Sequence, residues 1–239
     1  MSVLADPTGN FLRACRGSAV VVAFASAIAG CQQQAAPGDS SPSDEPRVAE
    51  ETFDLSDFER FPDDGDWSET DDGFRTGGTP KGYVYSKEPL GPGTLSLEYR
   101  FPPADAAPPA SGALPEAAGG ADAGVVPNTG LLLMIQPPHK KWPVCIEVQG
   151  KQPEAGRVKA NGGPDDPQTV HDDAALADAP RPPGEWNRLE VTLTHDSLAA
   201  RLNGRLTASA VTEDWQAGPF GLQAEGNPVE FRNVRFTPE

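Results

Sequence analysis

The chain has 239 residues, with 19 Lys+Arg against 35 Asp+Glu and a formal net charge of −16. That balance argues against nucleic acid and anionic membrane surfaces as direct partners, because both need a basic footprint. The 25 Gly and 26 Pro suit a turn-rich β fold and not a helical bundle.

Arg13 and Arg16 precede an apolar run of small residues, GSAVVVAFASAIAG (17–30). The run is short for a transmembrane helix and fits a signal-peptide core. It ends in Ile28-Ala29-Gly30-Cys31, which resembles the bacterial lipobox. The expectation is a lipoprotein signal peptide over 1–30, with Cys31 as the lipid-bearing residue of a mature chain. An ordinary secretory signal with a chance cysteine is the competing reading. Lipidation would place the protein on a cell membrane or outer membrane, facing the periplasm or the exterior. Of the three cysteines, Cys15, Cys31 and Cys145, only Cys145 would then remain free. No CxxC occurs and no two cysteines fall at metal-ligand spacing, so no zinc or redox motif and no cofactor are expected.

Residues 31–50 read as a disordered acidic linker, and a single domain is expected over 51–239. FPDDGDWSETDDG (61–73) looks superficially like a calcium loop but lacks the EF-hand spacing. It leaves two readings, a solvated acidic hairpin and a weak calcium site.

Strand signals follow. Gly82–Ser86 is a short β-rich run, and 94–101 alternates, with Leu95, Leu97, Tyr99 and Phe101 on one face. Residues 102–127 are rich in Ala, Pro and Gly and read as a flexible insertion. Gly130–Gln136 is apolar on both faces, as a central strand would be. In 142–149, Trp142, Val144, Ile146 and Val148 alternate with Pro143, Cys145, Glu147 and Gln149. That places Glu147 and Gln149 on the outward face and leaves Glu147 as either a half-exposed strand residue or a site residue. Trp142 reads either as core or as a ring that stacks on a sugar.

A short strand is expected near 156–160 and a long polar loop over 161–184, with one helical turn near Ala174–Ala177. Trp186–Thr194 and 198–202 alternate, and Asn203-Gly204 signals a type I′ hairpin. Residues 218–223 and 229–236 close the chain, with Val229, Phe231 and Val234 facing inward and a break in alternation at Arg232-Asn233 that predicts a bulge. The sum is an all-β antiparallel sandwich, a jelly roll.

Chemistry motifs are sparse. There is no G-x-S-x-G elbow and no phosphate-cradling glycine loop. His139, His171 and His195 do not pair at ligand spacing, and His195 reads as a solvated turn residue. Ordinary glycosidase chemistry needs two carboxylates about 5–9 Å apart. Glu147 stands alone on its strand, with Glu98 and Glu230 as possible partners across strands.

Several stretches stand in the order of one known family: Gly82–Lys87, Leu95–Phe101, Asn128-Thr129-Gly130, Ile146-Glu147-Val148-Gln149, Pro183–Asn187, Leu202-Asn203-Gly204, Gly218–Gln223 and Phe231–Val234. Together they resemble the 3-keto-disaccharide hydrolase domain family, a concanavalin-like jelly roll, over roughly residues 53–237. The resemblance implies a hydrolase-like protein acting on 3-keto glycosides or related carbohydrate. The alternative is a noncatalytic, lectin-like carbohydrate-binding module. A 3-keto group acidifies the C2 proton, so cleavage needs one positioned base, Glu147 or a partner in its pocket. Asn128, Gln149, Gln223 and Trp142 are the expected substrate-binding residues. Two positions depart from the family pattern: Ala224-Glu225 follow Gln223 where many members carry Asp-His, and Ala200-Arg201 stand where many carry His-Trp.

Overall fold

The computed structural model describes residues 49–103, 126–163 and 167–239. The segment expected to be a signal peptide, nearly all of the segment expected to be an acidic linker and most of the stretch 102–127 lie outside the described residues. Among the described residues there are fifteen strands: β1 (Glu51–Thr52), β2 (Phe58–Phe61), β3 (Trp67–Thr70), β4 (Gly73–Thr76), β5 (Gly82–Ser86), β6 (Gly93–Arg100), β7 (Gly130–Gln136) and β8 (Val144–Gln149). There follow β9 (Val158–Asn161), β10 (Thr169–His171), β11 (Asn187–Leu193), β12 (Ser197–Leu202), β13 (Arg205–Val211), β14 (Gly221–Ala224) and β15 (Val229–Pro238). The helix α1 (Asp173–Asp178) is a short turn capped by the Asp172 carboxylate, which accepts from the Ala175 amide.

All pairings are antiparallel, in two sheets. One sheet runs β10-β13-β12-β11-β6-β15-β4-β3, with β1 on β15. The other runs β2-β5-β14-β7-β8-β9. The jelly-roll sandwich expected from the alternation is therefore present. Its shared core takes Leu95, Leu97 and Tyr99 from β6, Leu189 and Val191 from β11, Ile146 and Val148 from β8, and Leu222 from β14. These residues point inward because strand side chains alternate between faces.

The apolar strand β7 has its explanation on both sides. Leu131 and Leu133 enter the shared core, while Leu132 and Ile135 join Tyr83 and Cys145 in a second, smaller cluster on the outer side. Phe61 and Tyr85 pack on the edge of that cluster, and His139, from the loop after β7, stacks on Tyr85 at 4.1 Å between centroids.

Local expectations mostly hold. Asn203 and Gly204 both have positive φ, +50° and +83°, as a type I′ turn requires. The ladder between β15 and β6 shifts between Arg232 and Arg235, and Asn233 sits at φ +51°, which is the expected bulge. The 61–73 segment contains β3 and leads into the β3–β4 hairpin, with Asp71 and Asp72 exposed at its tip. Asp66 is engaged locally, accepting from the Thr76 hydroxyl and the Gly77 amide.

Three expectations need correction. Trp142 is neither on β8 nor in the core; it lies in the preceding loop, 44% exposed, with Lys141 Nζ 5.0 Å from its ring centroid. Pro143 next to it has no N–H for the ladder, so the strand starts only at Val144. The stretch 161–184, expected as a long polar loop with one helical turn, has that turn as α1 but also contains a strand, because β10 pairs with β13. Glu98 and Glu230 belong to the other sheet, on β6 and β15, and cannot partner Glu147.

Candidate functional site

The outer face of the six-stranded sheet is set by register. Gln223 on β14 pairs with Tyr83 on β5, and Leu222 with Leu131 on β7. Across β7, Gly130 pairs with Gln149 and Leu132 with Glu147 on β8, and Glu147 pairs with Lys159 on β9. Thr129 reinforces this register by donating its hydroxyl to the Gln223 carbonyl at 2.8 Å.

Glu147 and Gln223 meet above Gly130. A Cβ at Gly130 would collide with Gln223 Oε1 and lie 3.0 Å from Glu147 Oε1. Glycine leaves that space to the ends of the two longer side chains, which a methyl group would have to push aside. Gln149 Nε2 donates to Glu147 Oε1 at 3.1 Å, and the Lys151 amide fixes the Gln149 oxygen at 2.9 Å. Glu147 is only 5% exposed, Gln149 4% and Gln223 3%. The reading of Glu147 as a half-exposed strand residue is thereby replaced: it is buried.

Burial pushes the Glu147 carboxyl above its ordinary value, because an ionised carboxylate loses water there. Lys159, with Nζ 3.5 Å from Oε2, opposes that shift; the carboxylates of Glu225 and Glu154 add to it. Glu225 follows β14, and its side chain is covered except for 8%, with Lys81 Nζ at 3.5 Å. Sequence reasoning gave Glu225 no role. The only signal available was its position two residues after Gln223, on the same side of an extended chain.

Two acceptors in this region lack donors. Gln223 Oε1 and Asn128 Oδ1 are buried and have no hydrogen-bond partner among the described residues. Leaving a buried acceptor unpaired costs roughly 1–3 kcal/mol, so such atoms mark places where a ligand's donors fit. A half-turn of the Gln223 amide would present its N–H₂ to Glu147 instead; the two settings offer a hydroxyl an acceptor or a donor.

The structure thus brings Glu147, Gln149 and Gln223 together, with Asn128 immediately before the Thr129 that is bonded to Gln223. Trp142 stands apart, on the loop that carries His139. Cys145 is fully buried beside this region, and burial pushes its thiol to about 12, so it packs and does not react. His171 Nε2 lies against the backbone of Val158, 3.1 Å from its carbonyl, and His195 is exposed after β11. A cavity of about 420 Å³ lies elsewhere, between the β3–β4 hairpin and the β15 bulge, lined by Asp72 and Arg232 among others. The polar convergence at Gly130, and not that cavity, carries the unpaired chemistry.

A profile for the 3-keto-alpha-glucoside-1,2-lyase-like domain matches residues 49–237, most of the chain. The chain belongs to that family. No curated protein matches. Among solved structures, a candidate glycosyl hydrolase from Parabacteroides distasonis is similar at TM-score 0.52 and 15% identity, over 78% of this chain and 90% of that one. The carbohydrate-binding module CBM66 from Bacillus subtilis is similar at TM-score 0.51 and 14% identity, over 74% of this chain and 93% of that one. At such identities the likeness is one of fold.

Within this lyase-like family member, several shared motifs serve the scaffold. Asn187 Oδ1 accepts from Asn203 Nδ2 at 2.9 Å and from the Arg181 amide at 2.8 Å, tying the E-W-N and L-N-G stretches together. The E-V-Q and G-L-Q stretches supply the polar side chains above Gly130.

Proposed function

We propose that this is a carbohydrate-active protein that cleaves 3-keto glycosides on the outer face of its six-stranded sheet, with Glu147 as the base. The observation that carries the reading is the buried Glu147 carboxylate beside the donor-less Gln223 and Asn128 oxygens, in a family described as 3-keto-alpha-glucoside-1,2-lyase-like. The ketone at C3 makes the C2 proton acidic. Glu147 accepts that proton, the C2 electrons delocalise onto the C3 oxygen, and their return expels the C1 oxygen to leave a C1=C2 enone. A carboxyl raised by burial is a stronger base than an ordinary one and suits this transfer. Asn128, Gln149 and Gln223 supply acceptors and donors for sugar hydroxyls. Trp142 offers an exposed ring on the neighbouring loop for stacking.

The test is aglycone release from a panel of 3-keto glucosides. The wild type is expected to turn over and Glu147→Gln to lose at least about 100-fold, the usual worth of a general base. No release by the wild type, or undiminished release by Glu147→Gln, removes the proposal.

A second reading is glycan binding without turnover. It is favoured by the placement of the histidines: none of His139, His171 and His195 hydrogen-bonds to Glu147, Gln149 or Gln223 among the described residues. It predicts saturable binding of carbohydrate with no product. We also propose that the protein is lipid-anchored through Cys31 and extracytoplasmic, on the strength of Ile28-Ala29-Gly30-Cys31 behind an apolar run. Metabolic labelling with a fatty acid should mark the wild type and not Cys31→Ser.

A further inference from the structure

Taking the C2 proton does not remove the negative charge of the site; it moves that charge from Glu147 to the C3 oxygen of the sugar. The surrounding side chains are covered, Glu147 to 5% exposure, Gln149 to 4% and Gln223 to 3%, so an unanswered anion there would lie away from water. The unpaired oxygens of Gln223 and Asn128 are acceptors and cannot answer it. Two side chains meet the Glu147 carboxylate. Gln149 donates to Oε1 at 3.1 Å and is neutral; Lys159 Nζ stands 3.5 Å from Oε2 and carries a charge. The C2 proton and the C3 oxygen belong to neighbouring carbons, so a base and a cation that serve them must be neighbours too. Lys159 is anchored at its backbone and free at its tip. It pairs with Glu147 across β8 and β9, and the next residue, Val158, pairs with Val148 while its amide donates to His171 Nε2 at 3.2 Å. Its side chain is 51% exposed, on the edge strand of the sheet, and its one ion pair among the described residues is with Glu147.

We propose that Lys159 is a second catalytic residue, the cation that stabilises the enolate: its ammonium leaves the Glu147 carboxylate as that group is protonated and bonds the C3 oxygen as the charge arrives there. The inference rests on the elimination reading given above. Glu147 takes the C2 proton, the C2–H electrons form the C2=C3 bond, and the π pair of the ketone settles on the C3 oxygen. Lys159 donates a hydrogen bond to that oxygen and keeps its proton throughout. The pair then returns to C3=O, the C2=C3 electrons shift to C1=C2, the C1–O bond breaks, and the departing oxygen takes a proton from solvent. Glu147 afterwards gives its proton to solvent. The summed charge of Glu147, Lys159 and sugar is zero both before and after the proton moves, so the buried site never holds a lone charge.

The experiment separates enolate formation from cleavage. A 3-keto sugar with hydrogen in place of the C1 substituent oxygen has no leaving group, so exchange of its C2 hydrogen in D2O, read by proton NMR, reports the enolate alone. Aglycone release from a 3-keto glucoside reports the whole elimination. The wild type should do both. Lys159→Met should slow both at least about 100-fold, the worth of one oxyanion donor, while the Kd for the C1-deoxy sugar stays within about threefold. Lys159→Arg keeps the charge and should recover at least about tenfold of the loss. Lys159→Gln serves if the methionine variant does not fold. A merely tuning role is told apart by pH: Lys159 counteracts the effect of burial on Glu147, so its loss moves the base limb upward in pH. If tuning were its whole role, Lys159→Met would regain the wild-type plateau at higher pH. A regained plateau, exchange unslowed in Lys159→Met, or Lys159→Arg no better than Lys159→Met overturns the role of Lys159 alone. Absence of aglycone release by the wild type overturns the elimination reading beneath it, and the exchange rates still decide the role of Lys159.

Discussion

Glu98 and Glu147 are both strand glutamates on the outer face of a sheet, and the fold treats them in opposite ways. Glu98 accepts from Arg232 Nε at 2.6 Å and from Asn233 Nδ2 at 3.0 Å. Arg232 in turn bonds Asp72 and lies 4.0 Å from the Trp186 ring centroid; Arg100 lies 4.5 Å from the same ring and bonds Glu230 at 2.6 Å. Burial alone would raise the Glu98 carboxyl, but the hydrogen bonds from Arg232 and Asn233 outweigh it and hold the group below its ordinary value. Glu147 has one amide donor and one lysine, more complete burial, and a carboxyl held above its ordinary value. Around Glu98 the charges answer one another and tie β6 to β15. A face with a raised carboxyl and unpaired acceptors is set up for something that binds.

The comparison can be broken at several points. The largest expected effect is on turnover. Glu147→Gln should reduce cleavage of a 3-keto glucoside by at least about 100-fold, whereas Glu98→Gln should leave it within about twofold. Equal losses in the two variants would erase the distinction between the faces.

Stability comes next. Gly130→Ala should cost about 1–3 kcal/mol in urea unfolding, because its methyl group must displace Gln223 and crowd Glu147. Arg232→Ala should cost about 1 kcal/mol through its partly exposed ion pairs and ring contact, with no effect on catalysis. A catalytic loss in Arg232→Ala would mean that the saturated face also acts.

The pH dependence separates the two glutamates by sign. Glu147 has a raised carboxyl, so its contribution is fully present below the unfolded-state value and is lost as pH rises through the folded-state value. Glu98 is depressed, so its contribution is present above the unfolded-state value and is lost as pH falls through the folded-state value. In thermal melts taken across the carboxylate range, Glu147→Gln should flatten the decline on the rising side. Glu98→Gln should flatten the decline on the acid side. Changes of the same sign would contradict the contrast.

The smallest effect concerns Trp142, where replacement by Ala should weaken sugar binding severalfold and barely move stability, since the ring is 44% exposed. A large loss of stability would show a packing role instead.

What the sequence revealed follows from which forces are local. Half-buried strands such as β6, β11 and β12 announce themselves by alternation, and Asn203-Gly204 by the backbone angles its turn needs. β7 looked doubly buried because it is, with Tyr83 and Cys145 covering its outer side. β10 did not show, since three residues in a polar loop carry no period. Trp142 continued an alternation that Pro143 interrupts. Glu147, Gln149 and Gln223 were legible through shared motifs. Glu225 was not, because its approach to Glu147 depends on the register of β14, β7 and β8, and register between distant strands leaves no mark on any one of them.

The most direct test of the central claim is a carboxyl NMR titration of the side chains of Glu147 and Glu98, with and without a 3-keto glucoside. Glu147 should titrate above the ordinary glutamate range and shift when the sugar is added, while Glu98 titrates below that range and stays unmoved. An ordinary titration of Glu147 that ignores the sugar would contradict the account.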